Sequence, residues 1–236
     1  MLIGKAPSVF IAAVFLLAVP FAAWGDHLSE YDYIVLQDDE LIGSYRVNFA
    51  RSGNEIEIEV ESDLKVDFGP LTVFEFEHQR RELWRDRKLV ESIAQTTKNG
   101  ESYDIKITRR AEGYKRVVNG REDQIEDPVR VLALWHEDLL EHEFFISPLE
   151  DKLYRLSVHF VGEDRIEIGD QRVQALHYRM TGDSERELWY DDAGHILKVR
   201  LYDYGSEIDY VLDRGNARAK LASRPSQTPS SRSETR

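Results

Sequence analysis

The sequence predicts a mainly β protein: a curved antiparallel sheet, a half-barrel or open barrel, built from two related meanders with one helix against the concave face. Three observations lead there. First, Arg81-Glu82-Leu83-Trp84 returns as Arg186-Glu187-Leu188-Trp189. The same spacing carries Asp86 onto Asp191, Gly100 onto Gly205 and Asp104 onto Asp209, so the ungapped segments 81–107 and 186–212 read as copies of one three-strand unit. Second, residues 55–68 alternate: Ile56, Ile58, Val60, Leu64, Val66 and Phe68 on one side, Glu55, Glu57, Glu59, Glu61, Asp63 and Asp67 on the other. A period of two means a strand with one dry and one wet face. A strand this long suits a twisted, curved sheet better than a small flat one. Third, only one stretch of the mature chain has helical spacing.

The first 25 residues read as a secretory leader. Lys5 supplies the positive end, Val9 to Val19 the apolar run, and Ala23-Trp24-Gly25 a small-x-small cleavage site before Asp26. The apolar run is shorter than the roughly 20 residues a membrane span needs, and no second one follows. The chain is therefore expected to be exported to a periplasm and cleaved after Gly25, with no transmembrane segment afterwards. The sequence has no cysteine, which removes disulfides, thiolate chemistry and a lipid-modified N-terminal cysteine. An exported chain without disulfides fits a bacterial periplasm better than a disulfide-stapled secreted domain.

Thirty-one basic and 44 acidic residues give a net charge of −13. The charge is uneven, because from Arg214 onward there are six basic residues and one acid. An acidic body argues against nucleic acid, whose phosphates demand a basic surface. The tail, 214–236, is rich in Ser, Pro and Arg without apolar periodicity and is expected to be disordered. Residues 26–213 remain as a single β-rich domain.

Taken in order, 31–51 give two short strands around Gln37-Asp38-Asp39-Glu40. The long strand 55–68 ends in the turn Phe68-Gly69-Pro70-Leu71. The next strand starts with Phe74 and Phe76 inward, but Leu83 has the opposite parity, which predicts a bulge between His78 and Glu82. Asp86-Arg87 turns into a strand at 90–98, and Tyr103–Arg110 completes the first meander. Residues 114–126 are polar and weakly patterned. Asp127-Pro128 reads as a helix cap and first turn. Val131, Leu132, Trp135, Leu139 and Leu140 then recur at helical spacing, predicting a helix over about 128–144. Strands follow at 153–162, 164–169 and 171–181, and the second meander turns at Tyr190–His195 and Gly205. About ten to twelve strands are expected in all.

Three features together carry a family resemblance: Tyr31-Asp32-Tyr33 followed by Asp38-Asp39-Glu40-Leu41-Ile42-Gly43-Ser44-Tyr45-Arg46-Val47, the Arg-Glu-Leu-Trp copies, and Leu188-Trp189-Tyr190-Asp191-Asp192-Ala193-Gly194. The chain resembles proteobacterial periplasmic families known only as domains of unknown function, over most of residues 28–213. In shape such proteins resemble half-barrels of the lipoprotein-carrier (LolA/LolB-like) kind. The resemblance brings no catalytic residues with it.

The richest cluster of metal-ligand types is Trp135 to Glu143. Its His136 and His142 are six residues apart, about 240° around a helix, so they do not share an ion. Asp138, Glu141 and His142 make a looser group, and a solvated helix face accounts for all of them. His78 is a lone buried-type histidine with no nucleophile to serve. The glutamate row 55–61 points one way along a strand and does not converge on a cation. No metal, cofactor or catalytic residue is assigned. A half-barrel that its helix does not fill leaves a greasy groove. Trp84, Trp135, Trp189, Phe74, Phe76, Phe160, Tyr178 and Tyr210 are the aromatic residues expected to line it, a packed core being the plain alternative. The expected function is non-enzymatic binding of an apolar small molecule or a hydrophobic segment of an envelope protein. The alternative is a structural or interaction protein of the envelope with a filled core.

Overall fold

The computed structural model describes residues 28–136, 138–203 and 205–214, so the leader and the tail beyond Arg214 lie outside the described residues. Eight strands come first, each turning back on the last: β1 (Leu28–Gln37), β2 (Glu40–Ser52), β3 (Glu55–Phe68), β4 (Leu71–Arg85), β5 (Lys88–Lys98), β6 (Glu101–Arg109), β7 (Tyr114–Val118) and β8 (Arg121–Ile125). A strap follows: β9 (Arg130–Val131), the helical turn α1 (Asp138–Glu141) and β10 (Phe144–Ile146). The chain returns as β11 (Leu153–Ile168), β12 (Gln171–Gly182), β13 (Arg186–Tyr190), β14 (Ile196–Asp203) and β15 (Ser206–Leu212).

All fifteen strands form one sheet, ordered β8-β7-β6-β5-β4-β3-β2-β1-β15-β14-β13-β12-β11-β10-β9. The pairing of β9 with β10 is parallel and the rest are antiparallel. Register shifts at Val35/Leu36, Val66/Asp67, Leu83/Trp84, Phe160/Gly162 and Trp189/Tyr190 bend and twist the strands. The expected fold class, mainly β with one large open curved antiparallel sheet, is the one observed. Ile58, Val60, Trp84, Ile105 and Ile107 bury one half of the inner face, and Leu156, Met180, Leu188 and Val199 bury the other.

The helix expected over about 128–144 is not there. Among the described residues of this stretch only Asp138–Glu141 is helical; Arg130–Val131 and Phe144–Ile146 are strands, and a turn at Leu134–Trp135, closed by His136 N on the Ala133 carbonyl, leads into the helix. The carboxylate expected to cap it is engaged elsewhere: Asp127 accepts from both terminal guanidinium nitrogens of Arg109, from Gly113 N and from Arg130. The strap also lies between the two halves of the sheet, so its alternate sides are both dry. Val131 and Ala133 pack into one cluster while Leu132 packs into the other. Apolar residues on both sides of an extended segment are what a helical stripe also looks like in sequence.

Two smaller expectations also change. Residues 114–126 form the β7–β8 hairpin, turned by Asn119 and Gly120, both at positive φ. That Asn-Gly pair is the strong hairpin signal in the stretch. Strand β4 has no slip between His78 and Glu82. Phe74, Phe76, His78, Arg80, Glu82 and Trp84 all keep the inner side, and the polar members are simply buried.

The two copies of Arg-Glu-Leu-Trp are both the first strand of an antiparallel meander, but they present opposite faces. Glu82 pairs with Ser92, so the equivalent partner of Glu187 would be Leu197; Glu187 pairs with Arg200 instead. The offset is three residues, and an odd offset exchanges the faces of a strand. Its source is the turn. Asp86-Arg87 closes the first hairpin, whereas Asp191–His195 closes the second, held by the Asp191 carboxylate, which accepts from Ala193 N and His195 N. Trp84 therefore joins the inner core, while Trp189 lies outside with Ile168, Ala175, Leu197 and Val211.

Candidate functional site

A cavity of about 550 Å³ remains between the inner face and the strap. Its wall is built in rows by strand register. Tyr33, Tyr45, Ser62, His78 and Thr96 lie side by side across β1 to β5. Two residues further toward the β3–β4 turn, the row is Gly43, Leu64, Phe76 and Lys98, and beyond it are Val66 and Phe74. The strap supplies Leu132, Leu134 and Trp135, and the returning strands supply Arg186, Val199, Leu201, Ile208 and Tyr210. A polar belt thus borders a largely apolar chamber. At Gly43 β2 has no room for a side chain against β3, since a Cβ there would sit 2.0 Å from the Asp63 carbonyl oxygen.

The buried polar groups are mostly paired. The Arg80 guanidinium meets Glu82 at 2.9 Å in the geometry of an ion pair, and Glu82 also accepts from Trp84 Nε1 at 2.7 Å. Tyr33 donates to the Ile196 carbonyl. His78 Nδ1 lies 2.9 Å from Thr96 Oγ1, and burial, then the charge of Arg80, pushes its pKa down to about 3, so the ring is neutral. Three buried nitrogens on residues of the cavity wall, His78 Nε2, Arg80 Nε and Trp135 Nε1, have no hydrogen-bond partner among the described residues, Arg80 Nε being held by the charge of Glu82 alone. Burial also raises the pKa of Tyr45 and brings that of Tyr210 up to about 12, so both keep their protons.

Of the aromatic residues expected at the groove, Phe74, Phe76, Trp135 and Tyr210 line this cavity. Trp84 is behind the wall, with Trp135 at 4.8 Å and His136 stacked on it at 4.7 Å. Trp189 is on the outer face, stacked on His177 and donating to Asp164. Phe160 is 58% exposed and packs on Tyr178, which contacts Tyr190 and not the cavity. Sequence reading passed over Tyr45, Arg80 and Arg186. Tyr45 was legible as an inward aromatic by alternation, whereas charged residues at inner positions carry no such mark.

The looser metal group falls in part outside the described residues. His136 is turned onto Trp84, Glu137 and the Asp138 side chain lie outside what is described, and among the described residues no three His, Asp or Glu side chains gather as metal ligands. Arg81 reaches back to Glu59 on β3, and Glu187 is held by His177 and Arg179 of β12. Among the described residues no helix is long and apolar enough to cross a membrane.

No curated protein matches the sequence. In structure the chain is similar to a β-barrel-like protein of the domain of unknown function DUF1849 from Brucella abortus, with a TM-score of 0.55 at 8% identity, covering 78% of this chain and 94% of that one. That likeness is one of fold. The family model for the domain of unknown function DUF6134 matches residues 33–213, nearly the whole sheet, and the chain belongs to that family.

Proposed function

We propose that this protein is an exported, non-enzymatic binding protein that holds an apolar ligand inside its curved sheet. The observation that carries the reading is the cavity itself: about 550 Å³, within the range of roughly 300–1,000 Å³ typical of small-molecule sites. Its walls are mostly Ile, Leu, Val and aromatic side chains with a few polar groups set among them. A packed core would have left no such space. The leader read from residues 1–25 supports a periplasmic setting, and the lipoprotein-carrier-like shape expected from the sequence belongs to the same proposal. Trp135 is the built-in reporter. Protein stripped by denaturation and refolding should shift its Trp emission when envelope lipid extract is added, and Trp135→Phe should abolish most of that response while Trp189→Phe preserves it. An emission spectrum indifferent to extract counts against the reading.

A second reading, docking of a hydrophobic segment of another envelope protein, has one observation in its favour. At the β3–β4 turn, Phe68 is 77% and Leu71 64% exposed, next to cavity-wall residues Val66 and Val73. Crosslinking from a photoreactive residue at position 71 in intact cells tests it; labelling confined to lipid removes it.

A further inference from the structure

We infer that the ligand of this cavity is an amphipathic anion, an apolar chain ending in a carboxylate or phosphate, with Arg186 as the anchor of its charged end. The inference rests on the binding role proposed above and adds the chemistry of the ligand.

The sign of the wall is the first ground. The chain has 44 acidic residues against 31 basic ones, yet among the described residues lining the cavity there is no Asp or Glu, while Arg80, Lys98 and Arg186 all line it. Arg80 is neutralised from behind by Glu82, and Lys98 shares its field with Glu150. Arg186 is different. Its Nε donates to the Ser184 hydroxyl at 3.2 Å, and no carboxylate among the described residues pairs with it. A cation left at the edge of an apolar chamber without a counter-charge is costly unless something of opposite charge comes to it.

The second ground is what surrounds that cation. Its field reaches the hydroxyls of Tyr45, Tyr154, Tyr190 and Tyr210, where it opposes the rise in pKa that burial causes. Two of these hydroxyls already donate, Tyr154 to Glu150 and Tyr190 to the Leu134 carbonyl, while that of Tyr45 accepts from Arg80 and keeps its own proton to give. Tyr45 and Tyr210 pack edge to face at 5.7 Å on the cavity wall and stay protonated, so they can donate to an anionic oxygen beside Arg186. The unpartnered His78 Nε2 belongs to the same belt, one strand beyond Ser62. From the belt toward the β3–β4 turn the wall becomes Leu64, Phe76, Val66 and Phe74, a lane for the apolar chain. An uncharged hydrocarbon would use the lane and leave the cation unanswered.

The test is titration of the refolded full chain with hexadecanoate, hexadecyl phosphate and hexadecanol, which share one chain and differ in the head, read by Trp emission and native mass spectrometry. Either anion is expected to bind about ten-fold or more tighter than the alcohol, the discrimination a charge-assisted hydrogen bond supplies. Arg186→Gln should erase that preference and leave the alcohol unchanged, and Arg186→Lys should restore part of it. The tighter of the two anions identifies the head as carboxylate or phosphate. Should Arg186→Gln not fold, the preference of the unaltered chain decides alone. Equal binding of alcohol and anions, or tighter binding of the alcohol, overturns the inference and leaves the binding role standing. If none of the three binds, the binding role itself falls and takes the inference with it.

Discussion

Trp84 and Trp189 hold the same place in the repeated Arg-Glu-Leu-Trp and lie on opposite faces of one sheet. Each indole N–H is bonded to a carboxylate, but the two settings differ. Glu82 is fully buried beneath Trp84, whereas the Asp164 side chain under Trp189 is 45% exposed. Trp84→Phe should cost about 2–3 kcal/mol of unfolding free energy, because a buried carboxylate loses a donor. Trp189→Phe should cost about 1 kcal/mol, since water replaces the lost bond. Urea unfolding of the two variants checks the order, and equal losses would contradict the opposite-face reading.

The Arg80–Glu82 pair gives a test of desolvation. Removing one partner leaves the other charge buried, so Glu82→Gln should destabilise by roughly 3–5 kcal/mol. Joint replacement by Arg80→Met and Glu82→Leu should recover most of that loss, because neither charge is then stranded. A double variant no more stable than Glu82→Gln, in chemical denaturation, would mean that the ion pair itself holds β4 in place.

His78 makes stability depend on acid. Its folded pKa is about 3, held there by burial and then by Arg80, against 6.5 ordinarily. The unfolded chain therefore takes up a proton below about pH 6.5 that the folded chain refuses until about pH 3. Stability from this group is complete above pH 6.5 and is lost on the way down, by about 2 kcal/mol at pH 5. Urea midpoints at pH 7 and pH 5 should show the loss in the natural sequence and a markedly smaller one in His78→Gln.

Gly43 is required by contact rather than by backbone freedom. A methyl group there would meet the Asp63 carbonyl oxygen at 2.0 Å and the Leu64 Cα at 2.9 Å. Gly43→Ala has to part β2 from β3, and a loss above about 3 kcal/mol is expected. Gly100→Ala, at a positive φ in open space, should cost only about 1 kcal/mol. Thermal melts of the two variants distinguish them.

Much of the sheet was legible because its faces differ in wetness. The strand at Glu55–Phe68 has the expected bounds, and from Glu57 to Val66 its faces alternate as expected, whereas Phe68, beyond the shift at Val66/Asp67, is exposed. Legibility failed where that difference vanishes. The strap is dry on two sides, so Val131, Leu132 and Ala133 carry no period of two. On β4 the inner positions of His78, Arg80 and Glu82 are polar, so the phase looked broken when it was continuous. The Arg-Glu-Leu-Trp copies misled in a third way, since a turn three residues longer reverses a face without altering one letter of the strand. The cavity inherits all three effects. Its apolar lane was visible in Phe74 and Phe76, but its cation and its tyrosine belt depend on which strands meet.

The first and last described strands meet in the middle of the wall, where β1 pairs with β15 through Tyr33–Leu212 and Gln37–Ile208. A chain emerging from its N-terminus thus carries β1 with one edge unsatisfied until residues 206–212 are delivered. The early strands and the late strands can each zip by local hairpins, but the chamber between them has no closed wall before that final stitch. Loss of the last strand would therefore split the molecule at its centre rather than fray its rim, exposing two raw edges open to pairing with other chains.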